Sequence, residues 1–270
     1  MSRFNPFEFL RLIQELRVTI FTIVPAMYVA ILSLKEYEKF NLSSLRYAVV
    51  FGAPSSPMLL RKFHSACPKA TVLNGWGMTE TAAPNTFSPG DESKIASIGR
   101  FDYNLQAKIV DDAGDPVEQG AKGELLVKGG CVMLGYYNEP GLTGEAMTED
   151  GWLKTGDVAV CDCDGLYYIV GRKKDMIKVA GEIVFSCEVE EKIHLHPQVK
   201  EVAVIGIPDE LRGEVPKAFI VCKDEAAIAE TELRIFLKEH LAHFKIPHHF
   251  SFVPDLPKNR TGKIDKTKLV

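Results

Sequence analysis

"LRYAVVFGAPSSPMLLRKFHSACPKATVLNGWGMTET", residues 45–81, decides the fold. Its first ten residues are an apolar run that stops at glycine and proline, as a buried strand does. In "SPMLLRKFHSAC", residues 56–67, the apolar positions recur with the period of an amphipathic helix. "ATVLNGWG", residues 70–77, is a second strand ending in a glycine turn. Strand, helix and strand in this order imply a mostly parallel sheet covered by helices. Ligands gather at the carboxyl ends of such strands. The two glycine-bearing ends, Gly52-Ala53-Pro54 and Asn74-Gly75-Trp76-Gly77, are therefore expected on one edge, facing one crevice.

Upstream, "VTIFTIVPAMYVAILSL", residues 18–34, is apolar enough to suggest a membrane segment. It falls short of the roughly 20 residues a spanning helix needs, and Thr19, Thr22, Pro25 and Ser33 interrupt it. It reads instead as a strand over 18–24, turned by Pro25 into a helix over 27–34. Downstream, residues 98–170 carry short alternating strands with Asp-Gly turns, an antiparallel sheet for which a small barrel is one form. "GRKKDMIKVAGE", residues 171–182, packs four cations into 172–178 without a helix stripe or a strand pattern, and reads as a linker. A helix over 186–196, strands over 199–210 and 216–224, a helix over 232–241 and a final loop, "LPKNRTGKIDK", complete a small α+β tail. The expected class is α/β: a helix-covered parallel lobe (1–97), an antiparallel β subdomain (98–171), a hinge (172–175) and an α+β domain (176–270).

The 270 residues are 46% hydrophobic and 25% charged with a net charge of −4, a globular composition without the basic excess of a nucleic-acid binder. Six scattered cysteines without a secretion signal suggest reduced thiols and a cytoplasmic setting. Cys161 and Cys163 are the one close pair, and no second pair follows at zinc-site spacing. The seven histidines form no His-Glu-x-x-His helix, and His194, His196, His248 and His249 read as surface loop residues.

Six motifs occur in order: "VPAMYVAIL", "GAP", "NGWGMTET", "GWLKTGD", "GRKKDMIKVAGE" and "PKNRTGK". Together they resemble the adenylate-forming superfamily, which includes acyl-CoA synthetases, firefly luciferase and nonribosomal adenylation domains. The resemblance implies that a carboxylic acid is joined to the α-phosphate of ATP, with loss of pyrophosphate, and that the acyl group then passes to a thiol, usually that of coenzyme A. Attack of one anion on another requires cations and dipoles aimed at the developing charge.

By this resemblance, Gly52, Ala53 and Pro54 offer bare backbone to the adenine edge, with Asn74 and Gly75 beside them. Trp76, where the family usually has tyrosine, presents an aromatic face to the base; its bland alternative is a core tryptophan beside a glycine turn. Thr79 reaches the α-phosphate and Glu80 holds Mg²⁺, although Thr-Glu also suits the start of a helix. Asp157 accepts hydrogen bonds from the ribose hydroxyls, and Arg172 completes the nucleotide grip. Lys174 falls at the hinge about which a lid swings between the two half-reactions. Lys178 and Gly181 belong to the coenzyme A step. Lys263 folds over the site to bridge the carboxylate and α-phosphate, a contact worth on the order of 4 kcal/mol at ~4 Å and a dielectric near 20. Met27, Met78 and Ala83 suggest an apolar pocket for a fatty or aryl acid.

One departure bears on activity. The family's phosphate loop, of the type "SGTTGxPKG", has no counterpart, and Phe51 stands where a small residue is usual. The expectation is the carboxyl-terminal portion of an acyl-CoA ligase, poor at binding ATP by itself and dependent on an amino-terminal half. The alternatives are another adenylate former, loading a carrier protein or acting like luciferase, and a non-catalytic remnant that binds acyl groups, AMP or a partner. An uncovered sheet edge would favour self-association.

Overall fold

The structure, a computed structural model, describes residues 4–53, 55–102, 104–223, 228–259 and 263–269. These residues gather into two compact units, one within 1–155 and 159–169 and the other within 156–158 and 170–270.

The first unit opens with α1 (Pro6–Leu16), which the sequence reading passed over. Its signals are local: the Asn5 side chain accepts the Glu8 N–H at 3.1 Å, and Pro6 occupies the first turn, where no N–H is needed. Then come β1 (Ile20–Ile23), α2 (Pro25–Leu32), β2 (Tyr47–Val50), α3 (Pro57–Ala66), β3 (Thr71–Trp76) and β4 (Thr86–Phe87). Pro25 begins α2 rather than preceding it, for the same reason that Pro6 begins α1. β1, β2 and β3 pair in parallel, with Ile20 opposite Tyr47 and Val50 opposite Asn74, while β4 runs antiparallel to the end of β3. The expected parallel sheet is present. Strand alternation sends Phe21, Ile23, Ala48, Val50 and Val72 into one core with Leu10, Ile13, Tyr28, Ile31, Leu60 and Phe63 of the helices. On the opposite face near the β1 edge, Ile20 and Tyr47 remain 56% and 39% exposed.

A second sheet contains β5 (Leu105–Val110), β6 (Gly123–Gly129), β7 (Leu153–Cys161) and β8 (Tyr167–Arg172), in that order, with α4 (Pro140–Ala146) between β6 and β7. It is an open four-stranded sheet, not the barrel that the strand pattern allowed. β6 ends at Gly129, where a Cβ would lie 2.1 Å from the Asn104 carbonyl oxygen, and the apolar residues that follow it in "CVMLGYY" form a loop, not strand.

The second unit carries β9 (Met176–Val179), β10 (Glu182–Phe185), α5 (Ser186–His194), β11 (Val199–Asp209), β12 (Gly213–Cys222), α6 (Glu230–Lys238) and β13 (His249–Phe252). The strands are ordered β10-β9-β12-β11, with β13 parallel to β12. The "linker" over 171–182 is thus largely structured: a single turn over Lys173–Asp175 leads into β9, whose Ile177 and Val179 are buried. The preceding charges obscured that short alternation. Ala180 and Gly181, both with positive φ (49° and 90°), join β9 to β10 in a tight hairpin. His249 lies in β13, and His196 is buried edge-on to Phe236, so neither is a surface loop residue. Among the described residues no helix is long and apolar enough to cross a membrane.

Candidate functional site

In the first unit, the register of Val50 with Asn74 brings the carboxyl ends of β2 and β3 side by side. Gly52 follows β2 with φ of 90°, a conformation that favours glycine. A Cβ there would meet only Val24, at 3.4 Å, so backbone geometry rather than crowding calls for this residue. Ala53 is half-buried, and Pro54 lies outside the described residues. Gly75 fits closely: a Cβ would stand 3.1 Å from the Phe87 ring and 3.4 Å from the Val50 carbonyl oxygen.

Asn74 has a structural task. Its N–H donates to Ser88 Oγ at 2.9 Å, and its side-chain amide donates to the Ser97 carbonyl at 3.2 Å, tying the next two loops to β3. Trp76 is 7% exposed and meets Phe101 edge-on at 5.3 Å, inside the core of the second sheet. Both readings of this tryptophan thus bear on one ring, which is core on the sides that the described contacts cover.

After β3, residues Thr79–Thr81 form a single 3₁₀ turn, anchored by buried Thr81, whose Oγ1 accepts the Met78 N–H at 3.1 Å. Thr79 is exposed and Glu80 half-buried. Glu80 is gripped twice by the loop that follows β6: its carbonyl oxygen accepts the Met133 N–H at 2.7 Å, and its Oε1 accepts the Tyr136 hydroxyl at 2.8 Å. The hydrogen bond to Glu80 raises the Tyr136 phenol above its ordinary range. Sequence reasoning missed Tyr136. Its only signal was an aromatic hydroxyl next to Gly135 in a stretch taken for strand, and its link to Glu80 spans 56 residues.

Met27 packs against the core of the parallel sheet and Met78 against that of the second sheet; Ala83 is half-buried and precedes Pro84 through a cis peptide. In the second unit, Asp157 on β7 is 4% exposed, and its Oδ1 lies 2.6 Å from Nε of Arg172, the last residue of β8. Exposed Lys174 occupies the turn that follows. Lys178 points outward from β9 while its N–H donates to Glu214 Oε2 at 2.9 Å. A Cβ on Gly181 would meet no atom within 4 Å, so only its left-handed backbone favours glycine. Exposed Lys263 and Asn259 clasp one another: Lys263 N–H donates to Asn259 Oδ1 at 3.0 Å, and Asn259 N–H donates to the Lys263 carbonyl at 2.8 Å.

Among the described residues no group of three His, Cys, Asp or Glu side chains could hold a metal ion. Mg²⁺ asks less of a protein, because one carboxylate commonly suffices beside phosphate oxygens and water. Glu80, oriented by Tyr136, fits that requirement.

The family model described as AMP-binding enzyme matches residues 1–137, and the one described as AMP-binding enzyme C-terminal domain matches residues 188–263. The chain belongs to the AMP-binding enzyme family. Among family members, the medium-chain acyl-CoA ligase ACSF2, mitochondrial, of Macaca fascicularis is 39% identical over 250 residues, 91% of this chain and 40% of the relative. The anthranilate CoA ligase AuaEII, solved with anthranoyl-AMP, superposes with a TM-score of 0.86 at 35% identity, covering 98% of this chain and 51% of that one. The amide bond synthetase McbA of Marinactinospora thermotolerans gives 0.90 at 30% identity, covering 100% and 55%. The chain spans 40% of the ACSF2 relative and 48% of 4-coumarate–CoA ligase-like 9 of Arabidopsis thaliana, less than half the length of either. The family models take in Gly52 through Glu80, Tyr136 and Lys263, while Asp157, Arg172, Lys174, Lys178 and Gly181 fall between them.

Proposed function

We propose that this chain supplies the carboxyl-terminal portion of an ATP-dependent acyl-CoA ligase, which adenylates a small carboxylic acid and passes the acyl group to coenzyme A. The observation that carries this reading is the ordered pair of family matches in a chain 39% identical to a medium-chain acyl-CoA ligase. In it, Gly52, Ala53, Pro54, Gly75 and Trp76 border the adenine, and Asn74 holds the frame around them. Thr79 donates to the α-phosphate. Asp157 accepts from the ribose with Arg172 alongside; its burial and its ion pair support a carboxylate held in one place. Mg²⁺ held at Glu80 would neutralise phosphate charge. Lys263 brings an ammonium to the reacting carboxylate, where charge stabilisation has the greatest effect.

The domain scheme proposed with this function is a lobe over 1–97, a β subdomain over 98–171, a hinge over 172–175 around Lys174, and a lid over 176–270. Lys178 and Gly181 serve the thioester step. Met27, Met78 and Ala83 border the acid, whose class is fatty or aryl. An amino-terminal half supplied in trans is the proposed partner, with self-association through the β1 edge as the competing arrangement; exposed Ile20 and Tyr47 support either. The six free cysteines support a reducing compartment, and the ACSF2 relatives, named mitochondrial, argue against limiting it to the cytoplasm.

The test is carboxylate-dependent exchange of pyrophosphate into ATP, measured for the chain alone and with the amino-terminal part of an ACSF2-type ligase added. Silence alone and recovery on addition support the proposal. Silence in both favours a non-catalytic remnant. The likeness to an amide bond synthetase supports a second reading, in which an amine accepts the acyl group. AMP release that depends on an amine and not on coenzyme A would select it.

A further inference from the structure

Lys263 is flanked by two lysines that it does not resemble. Lys258 Nζ reaches Glu201 Oε1 on β11 at 2.9 Å. Lys266 Nζ lies 2.8 Å from Glu190 Oε1 and donates to Ser186 Oγ at 2.8 Å, both on α5. Lys263 itself is exposed, and among the described residues its ammonium has no ion-pair partner. One segment thus holds a free cation between two tethered ones.

The two tethers differ in kind. Lys258 and Glu201 are partly exposed, with Asp255 also near the lysine, the sort of surface pair that contributes little. Lys266 and Glu190 are 25% and 21% exposed, and Glu190 Oε1 also accepts the Val204 N–H from β11 at 2.7 Å. Burial pushes the Glu190 carboxyl upward, Asp175 adds to that, and Lys266 opposes it. The neighbouring Cys187 thiol, bonded to the Val170 carbonyl at 3.1 Å, is pushed up to about 11 by burial. The ammonium of Lys266 is therefore the cation that compensates a carboxylate packed between α5 and β11. Its backbone leads directly to the position of Lys263: Asp265 N–H bonds to the Pro257 carbonyl at 2.8 Å, Ile264 bridges Lys258, and Leu269 is buried under β11 and β12.

We propose that Lys266, through Glu190 and Ser186, is a positioning residue that fixes the clasp between Asn259 and Lys263 and so sets where the Lys263 ammonium is presented. The proposal rests on the reading of Lys263 as the adenylation lysine. A lysine three residues from a reacting one would ordinarily repel it and share its ligand. Locking Lys266 onto α5 removes both problems and turns its charge into an anchor.

The test begins with amide hydrogen exchange on the intact chain. In K266M, the amides of Asn259 and Lys263 should exchange about tenfold faster, while those of β11 and β12 stay within about twofold of wild type. K266R, which keeps the cation, should exchange like wild type at 259 and 263. E190Q keeps an acceptor for Val204 and drops the charge, and should loosen the same two amides without unfolding the sheet. Unchanged exchange at 259 and 263 in K266M overturns the proposal. So does uniform acceleration across β11 and β12 in both K266M and E190Q, because the pair would then be a general stability element. With an amino-terminal half added, K266M should lower kcat for pyrophosphate exchange about tenfold with KM for ATP within about twofold. Full activity of K263A in that assay would sink the underlying reading of Lys263, and the exchange results on the clasp would stand apart from it.

Discussion

Two carboxylate–cation pairs in the second unit look alike in outline and differ in how they are built. Asp157 is buried, yet its partner Arg172 is 44% exposed and joins it through Nε at 2.6 Å. Glu190 and Lys266 are both mostly covered, and their shared oxygen also holds a backbone N–H of β11. A cation with an exposed guanidinium can exchange partners when a ligand arrives; a cation sealed between a helix and a strand cannot. The first pair is built as the proposed nucleotide grip requires, and the second as the proposed anchor does. A charge-paired residue is assigned a role by the mobility of its partner, not by the strength of the pair.

The largest expected effect lies at the cation that neither pair contains. K263A in the reconstituted enzyme should slow adenylation by roughly 10²–10³-fold, while thioester formation from preformed acyl-adenylate proceeds as before. Equal losses in both half-reactions would dissolve the distinction between anchor and reacting lysine.

Next in size is a direct contrast of the two pairs. E190A leaves the Val204 N–H without its acceptor and Lys266 with Ser186 Oγ alone, and should destabilise the chain by about 1–3 kcal/mol in urea unfolding. R172A removes a guanidinium that is 44% exposed, so water can take its place beside the Asp157 carboxylate; it should destabilise less than E190A while weakening AMP binding measured by calorimetry. If R172A proved the more destabilising, the comparison would be inverted. In the first unit, Y136F removes the hydroxyl that orients Glu80. It should raise the Mg²⁺ concentration needed for half-maximal activity a few-fold, with the urea midpoint little changed, as expected for loss of one hydrogen bond.

The smallest effect is electrostatic. The Leu166 N–H, then the Lys94 ammonium and the Tyr168 hydroxyl, hold the Asp162 carboxyl down to about 2. A depressed carboxyl lends its stability above the unfolded value of about 3.9 and withdraws it as pH falls toward 2. D162N should therefore flatten the fall of the urea midpoint between about pH 4 and pH 2 and leave the remaining acid response unchanged.

Much of the parallel lobe was legible because its signals are periodic and local. The apolar strand, amphipathic helix and glycine-ended strand over 45–77 became β2, α3 and β3 within a few residues. α1 carries an equally local signal in its Asn5-Pro6 start, which the stronger apolar segment beyond it overshadows. The candidate site was legible only as far as motifs reached. Glu80 could be singled out from "GMTET", but the tyrosine that orients it comes from a loop disguised by a strand-like composition. Lys263 stood out in "TGK", whereas Lys266 looked like one more surface charge. Its depth depends on α5, whose Ser186 and Glu190 lie 80 and 76 residues earlier in the sequence. Pairings across such distances leave no local pattern, and a β-strand as short as β9 leaves little.

The uncovered face beside β1 has a practical corollary at the bench. Ile20 and Tyr47, adjacent in register and open to solvent, form a patch to which an amphiphilic fluorescent dye such as ANS can adsorb while every strand is intact. Dye fluorescence at room temperature would then signal a native surface, and a melting curve followed by that dye would start from a bright baseline. Intrinsic tryptophan emission, from Trp76 in the second sheet's core and from half-buried Trp152, is the cleaner reporter of unfolding.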